Sequence, residues 1–199
     1  MELLGQLQAG WHNGWLLLVT FYGLFAVLMF VFPREVVKRL YDRTGWTRRD
    51  YLRRLVAVPI ALSTIGLFIL LPLNPGIPSF WIGMVIYGAG MIVFNTALFN
   101  YRDTPLDRPV TRGIYRFSRN PQQIGMILAF LGTSFAVGSW LMVGAIVLMG
   151  FGAHARVLAE ERACLMQYGD AHQEYMNRIP RYFGVPVGCI PNRSGRGSS

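Results

Sequence analysis

The chain has 199 residues, 53% of them hydrophobic and only 15% charged, with a mean hydropathy of +0.36. That is too apolar for an ordinary soluble domain and allows one compact membrane bundle. The formal charge of +9 does not point to a nucleic-acid partner, because the basic residues cluster in gaps between apolar runs, as cytoplasmic loops of membrane proteins do.

Residues 1–13 form a short amphipathic lead with Trp11 and Trp15 placed for an interface. An uninterrupted apolar run over 15–32 is long enough to span a bilayer as a helix, and Pro33 ends it. It lacks a basic n-region and a small-residue cleavage site, so it reads as a retained anchor and not a signal peptide. A basic loop follows, with Arg34, Lys38, Arg39, Arg43, Arg48, Arg49, Arg53 and Arg54, and within it a short surface helix is expected over 35–41. The second span is expected over 55–73, with Pro59 tolerated in its first turns. An uncharged Pro- and Gly-rich turn then leads to a third span over 80–99, whose Gly83, Gly88 and Gly90 suit close helix packing.

Residues 100–122 form a second basic loop. The apolar run over 123–137 is short, covering only about 22 Å at 1.5 Å per residue. After the break at Gly138-Ser139, a run over 140–168 begins apolar and ends polar, so these two helices are expected to form a hairpin. The fold class is therefore all-α, a polytopic bundle of five transmembrane helices. Basic and uncharged connections alternate along it, which puts the N-terminus outside and the C-terminus in the cytoplasm. The chain divides into membrane helices at 1–99, a cofactor and catalytic segment at 100–183, and a Gly-, Arg- and Ser-rich tail at 184–199 expected to be disordered. Cys164 and Cys189 read as free thiols.

No metal-ligand spacing, P-loop or nucleophile elbow is present, so no metal is expected. Chemistry has two candidate locations. One is the stretch Thr111 to Gly125, where Asn120-Pro121 sets a helix start with Asn120 as N-cap, offering N–H donors to an anion. The other is the polar face with His154, Arg156, Glu160, Glu161 and Arg162. Arg156 and Glu160 are four apart and share a helix face, which by spacing alone suits a snorkelling arginine paired with a solvated glutamate. Arg112, Arg116 and Arg119 likewise suit cytoplasmic anchors.

Gly113-x-Tyr115-x-x-x-Arg119-Asn120-Pro121-x-x-x-Gly125 resembles the G-x-Y-x-x-x-R-H-P-x-Y-x-G motif of the isoprenylcysteine carboxyl methyltransferase family. Glu160-Glu161-x-x-x-Leu165-x-x-x-Gly169, Tyr175 and Ile179-Pro180-Arg181 are similar to that family's E-E-x-x-L, G-x-x-Y-x-x-Y and V-P-R run. The resemblance covers 100–183 and implies an integral membrane enzyme that uses S-adenosylmethionine and releases S-adenosylhomocysteine. Carried onto matching positions, it implies cofactor contacts from Asn100, Asp107, Arg108, Pro109, Val110, Tyr115, Asn120, Pro121, Gln122 and Gln123. It also implies Glu160 as the acidic cofactor ligand, with Glu161 its rival, and Arg156 as a substrate-facing arginine. Asn120 stands where the family has histidine and Gln123 where it has an aromatic, so a titrating group and an aromatic wall are both lost.

The activity so implied is methylation of a carboxylate on a lipophilic, prenylcysteine-like substrate drawn from the membrane. Such an acceptor is already ionised and needs alignment rather than a general base. Phospholipid methyltransferases share related motifs and would take an amine. A nicotinamide-dependent membrane reductase carries a similar R-x-P-x-Y-x-G stretch but needs about twice the helices. A lipid-binding scaffold without catalysis is the remaining reading.

Overall fold

The structure, a computed structural model, describes residues 1–3, 7–43 and 46–183. Over these residues the chain is all-α: α1 (Trp15–Val31), α2 (Arg34–Tyr41), α3 (Arg48–Leu70), α4 (Pro78–Arg102), a 3-10 turn (Gly113–Arg116), α5 (Pro121–Ala136), α6 (Trp140–Tyr168) and α7 (Asp170–Arg178). The tail expected to be disordered, 184–199, and Cys189 within it lie outside the described residues.

Helices α3, α4 and α6 are long and apolar enough to cross a membrane. Their outward faces leave Leu55, Val85, Ile92 and Phe151 in the open, an arrangement suited to lipid and costly in water. The chain is a multi-pass integral membrane protein. The five expected spans correspond to five apolar helices, but α1 has 17 residues and α5 has 16. At 1.5 Å per residue these cover about 25 Å, less than a 30 Å hydrocarbon core.

Several boundaries differ from the hydropathy reading, each for a local reason. Helix α3 begins seven residues before the expected start at Leu55. Thr47 caps it, with its backbone N–H and hydroxyl both donating to Asp50 at 2.9 and 2.7 Å. Arg53 and Arg54 therefore ride on the first turns of the helix and not in a loop. Helix α4 starts at Pro78, whose missing N–H costs nothing at N1, and runs on to Arg102. Pro121 plays the same part for α5.

The tightest packing joins α4 to α5, which run antiparallel. A side chain on Gly83 would meet the Gly132 carbonyl and Ala136 nitrogen at 2.5 Å, and one on Gly90 would strike the backbone of Ala129 and Gly125. Gly125 and Gly132 return the same contact against Phe94 and Tyr87. Small residues let two helices approach where lipid removes the hydrophobic drive to associate. Gly88 departs from expectation, because it faces open space with nothing within 4 Å. The α5–α6 hairpin is present, turned by Gly138 at φ +72° and capped by Ser139, but its packing is less extensive than the α4–α5 seam.

The connections sort to two ends. At one end the uncharged turns 71–77 and 137–139 are covered by the N-terminal lead, whose described residues carry no helix. Glu2 exchanges backbone bonds with Gly138 and Trp140, and buried Asn13 donates to the Gln8 and Ile69 carbonyls at 2.6 and 2.8 Å. At the other end lie α2, the 103–120 loop, the polar end of α6 and α7, with most of the arginines.

Gly90→Ala is expected to destabilise the protein by about 1–3 kcal/mol through overpacking of the seam, while Gly88→Ala costs nothing. Thermal unfolding in detergent, compared between the two variants, checks this; equal behaviour would contradict the seam.

Candidate active site

The loop leaving α4 folds back on the helix. Gly113 takes φ +59°, and a side chain there would collide with the Asn100 amide. Glycine thus lets Asn100 lie directly on the loop backbone. Two residues on, Tyr115 is buried with Val110, Ala97 and Tyr175 in a small core. Its carbonyl accepts the Tyr175 hydroxyl at 2.8 Å, and the Gln122 side chain lies near its own hydroxyl. Burial holds the Tyr115 phenol well above its ordinary pKa, so it stays a neutral donor.

The segment after α7 runs beside the start of α5. Arg119 N–H donates to the Pro180 carbonyl at 3.0 Å, and the Ser118 hydroxyl and Asn120 Nδ2 donate to the Arg181 carbonyl at 3.0 and 3.1 Å. Asn120 does stand at the N-cap, yet its side chain makes no cap bond. The expectation of side-chain capping is therefore corrected: the Asn120 side chain bonds the Arg181 carbonyl through Nδ2 instead. Pro121 has no N–H to cap, and the side-chain Nε2 atoms of Gln122 and Gln123 are buried without a partner among the described residues.

The two glutamates occupy different environments. Glu161 is buried, with Arg119 at 3.0 Å on one oxygen and Arg181 gripping both oxygens at 2.7 to 3.0 Å. That carboxylate in turn raises the Arg181 pKa. Its lone pairs are committed to the two guanidinium groups. Glu160, one residue earlier, is part-exposed and accepts from Arg156 Nε at 2.7 Å, as the i, i+4 spacing anticipates. That bond uses only Nε of Arg156, whose side chain is exposed. Tyr182, whose pKa burial raises, lies within electrostatic reach of Glu160 and is 3.2 Å from His154 Nδ1.

Successive residues of α5 look in different directions. Gln122 faces Tyr115, whereas Gln123 lines an apolar cavity of about 180 Å³ among α1, α3, α5 and α6, bounded by Tyr22, Thr64, Phe68, Met126 and Ala153. Asp107 and Arg108 form an exposed pair at 3.5 Å, Pro109 is half-buried and Val110 buried. Sequence reasoning assigned no role to His172, which is buried on α7 against Tyr175 with neither ring nitrogen hydrogen-bonded among the described residues. It also missed the pairing of Arg181 with Glu161, although Arg181 belongs to the motif quoted above. Among the described residues no group of three or more His, Cys, Asp or Glu could hold a metal ion.

Fold and site together define a multi-pass helical membrane protein with a polar cluster at its basic end, built from the loop before α5, the polar end of α6 and the segment after α7. Residues 74–171 match the family model described as phospholipid methyltransferase, and this segment is a domain of that family. It holds every assigned site residue from Asn100 to Glu161. The chain is also similar to the protein-S-isoprenylcysteine O-methyltransferase of Schizosaccharomyces pombe, at 30% identity over 80 residues. The match covers 39% of this chain and 33% of the yeast protein, so the chain spans about a third of the length of the curated relative it matches.

Glu161→Ala strands the buried Arg119 charge and is expected to cost about 3–5 kcal/mol, against less than about 1 kcal/mol for Glu160→Ala, whose pair is exposed; chemical or thermal unfolding separates them. Burial lowers the His172 pKa below its ordinary 6.5, so the unfolded chain takes up a proton that the folded one resists. The stability this neutral imidazole contributes is present above that value and declines as pH falls below it. The unfolding midpoint should drop more between pH 7.5 and 5.5, an interval of about two pH units across the ordinary value, for the wild type than for His172→Gln.

Proposed function

We propose that this chain is an S-adenosylmethionine-dependent membrane methyltransferase that O-methylates the carboxylate of a lipophilic, prenylcysteine-like substrate. The observation that carries it is the pairing of Glu161 with Arg119 and Arg181, which joins the start of α5 to α6 and leaves Glu160 part-exposed with Arg156, inside a methyltransferase family domain. The residues fit the cofactor's chemistry. The α5 start offers the unpartnered Gln122 amide as a donor for its carboxylate, Glu160 offers an acceptor for its ammonium or ribose hydroxyls, and half-buried Asn100 and Pro109 with buried Val110 and Tyr115 form a wall. Once bound, the cofactor supplies an electrophilic methyl group. The chain's own part is to bind, orient and exclude water. Arg156, steadied by Glu160 through Nε, keeps two terminal nitrogens for the acceptor carboxylate. Arg156 would thereby hold the acceptor oxygen toward the methyl group that bound S-adenosylmethionine would supply. The apolar cavity at Gln123 receives the lipid tail from between the helices. The cofactor segment is 100–183, working on the membrane helices of 1–99, with the basic end cytoplasmic and the N-terminus outside.

The description of the matched family favours a second reading, in which the acceptor is a phospholipid amine. Methyl transfer from labelled cofactor to farnesylcysteine or to phosphatidylethanolamine vesicles decides between them. The first reading expects product from the prenylcysteine only. In purified protein, Glu160→Ala should weaken S-adenosylhomocysteine binding by about tenfold or more, roughly the loss of one charge-assisted hydrogen bond. Undiminished binding in that variant would remove Glu160 from the site.

A further inference from the structure

We propose that Arg39, on α2, is a positioning residue that clamps the loop after α4 in its cofactor-binding shape; this rests on reading that loop as part of the cofactor site. Arg39 lies 65 to 69 residues before its partners and belongs to neither site motif. Its Nη2 donates to the Arg108 carbonyl at 2.7 Å, and its Nη1 reaches the Pro105 and Thr104 carbonyls at 3.2 and 3.4 Å. The guanidinium plane sits 4.9 Å from the Tyr101 ring centre and 5.7 Å from that of Tyr168. Tyr168 completes the ring of contacts by donating its hydroxyl to the Leu106 carbonyl at 3.4 Å. One side chain thereby joins α2, the end of α4, four carbonyls of the loop and the end of α6, directly or through Tyr168.

The chemistry requires arginine. Three carbonyls and two aromatic faces are matched by a planar fork with several donors, and a lysine ammonium serves neither stack nor fork. The cation also sits at the C-terminal end of α4, where the helix dipole is negative. Helix α2 cannot swing the clamp away freely, because Val36 is buried in the same core as Phe32 and Leu98, with Leu40 and Tyr101 packed against it. Without the clamp, residues 103–109 have exposed side chains at most positions and few other ties. Val110 and Tyr115 would then meet the cofactor from a looser loop. Ordering that loop on binding costs affinity rather than the rate of the bound complex.

Hydrogen exchange and cofactor affinity, measured on the purified full chain in detergent, test this separately. Arg39→Ala and Arg39→Lys should both speed amide exchange over 103–110, raise the Kd for S-adenosylhomocysteine and the KM for S-adenosylmethionine by about tenfold, and leave kcat within about twofold. Lys38→Ala, exposed on the same helix, should change none of these. Unchanged exchange in the Arg39 variants overturns the clamp, and so does full rescue by lysine. Faster exchange with unchanged affinity overturns the positioning role. A wild-type chain that binds no S-adenosylhomocysteine defeats the reading of the site, while the exchange data still decide the clamp. If Arg39→Ala does not fold, Arg39→Lys and Tyr168→Phe, which removes the hydroxyl that bonds the Leu106 carbonyl, carry the same test.

Discussion

The Glu161 carboxylate, held between Arg119 and Arg181, is the interaction on which the polar end of this protein depends. It joins three pieces of chain that are remote in sequence: the approach to α5, the body of α6 and the segment after α7. A carboxylate this buried is tolerable only because two guanidinium groups replace its water, and an isolated charge there would carry a penalty of several kcal/mol. The same contacts fix the backbone of Arg119 and Arg181, whose neighbours Ser118, Asn120 and Pro180 then cross-bond. The start of α5 is therefore aimed by an ion pair and not by its own cap.

The rest of the scaffold rests on a different physical basis. In lipid, apolar faces gain little from meeting one another, so close approach must come from small residues and dispersion. Gly83 and Gly90 are seven apart, two turns along one face of α4, and Gly125 and Gly132 repeat that spacing on α5. The seam brings the end of α4, with Asn100, to the start of α5, with Gln122. At the opposite end the N-terminal lead closes the bundle through backbone bonds. Rigid helices thus carry a site whose own parts are mostly loop and helix ends.

How much of this could be read from residues alone follows from where the determining contacts lie. The glycine seam is local periodicity, and only Gly88, which falls off the common face, was misread. Helix α3 was begun too late because charge at Arg53 and Arg54 was read as loop, while the deciding signal was the Thr47–Asp50 cap four residues upstream of Arg54. Asn120 was placed correctly at a helix start, but its side chain answers to a carbonyl 61 residues away. Glu160 and Glu161 are adjacent and similar, and only three-dimensional packing assigns one to two arginines and the other to the surface. Arg39 left no signal in the sequence, since its partners are scattered backbone carbonyls that any residue could supply.

The first turn of α5 is where the two halves of the molecule meet. Consecutive helical residues point about 100° apart, so Gln122 and Gln123 cannot serve the same compartment. One stands near buried Tyr115, and the other opens into the apolar cavity toward Thr64 and Phe68. On the proposed reading a water-soluble methyl donor and a lipid acceptor must approach each other from opposite media, and this turn is the partition between them. Glutamine in place of an aromatic at 123 then makes the lipid side of that partition a hydrogen-bond donor instead of a ring. On that reading a polar group near the head of the acceptor, and not only its tail, would contribute to what this cavity accepts.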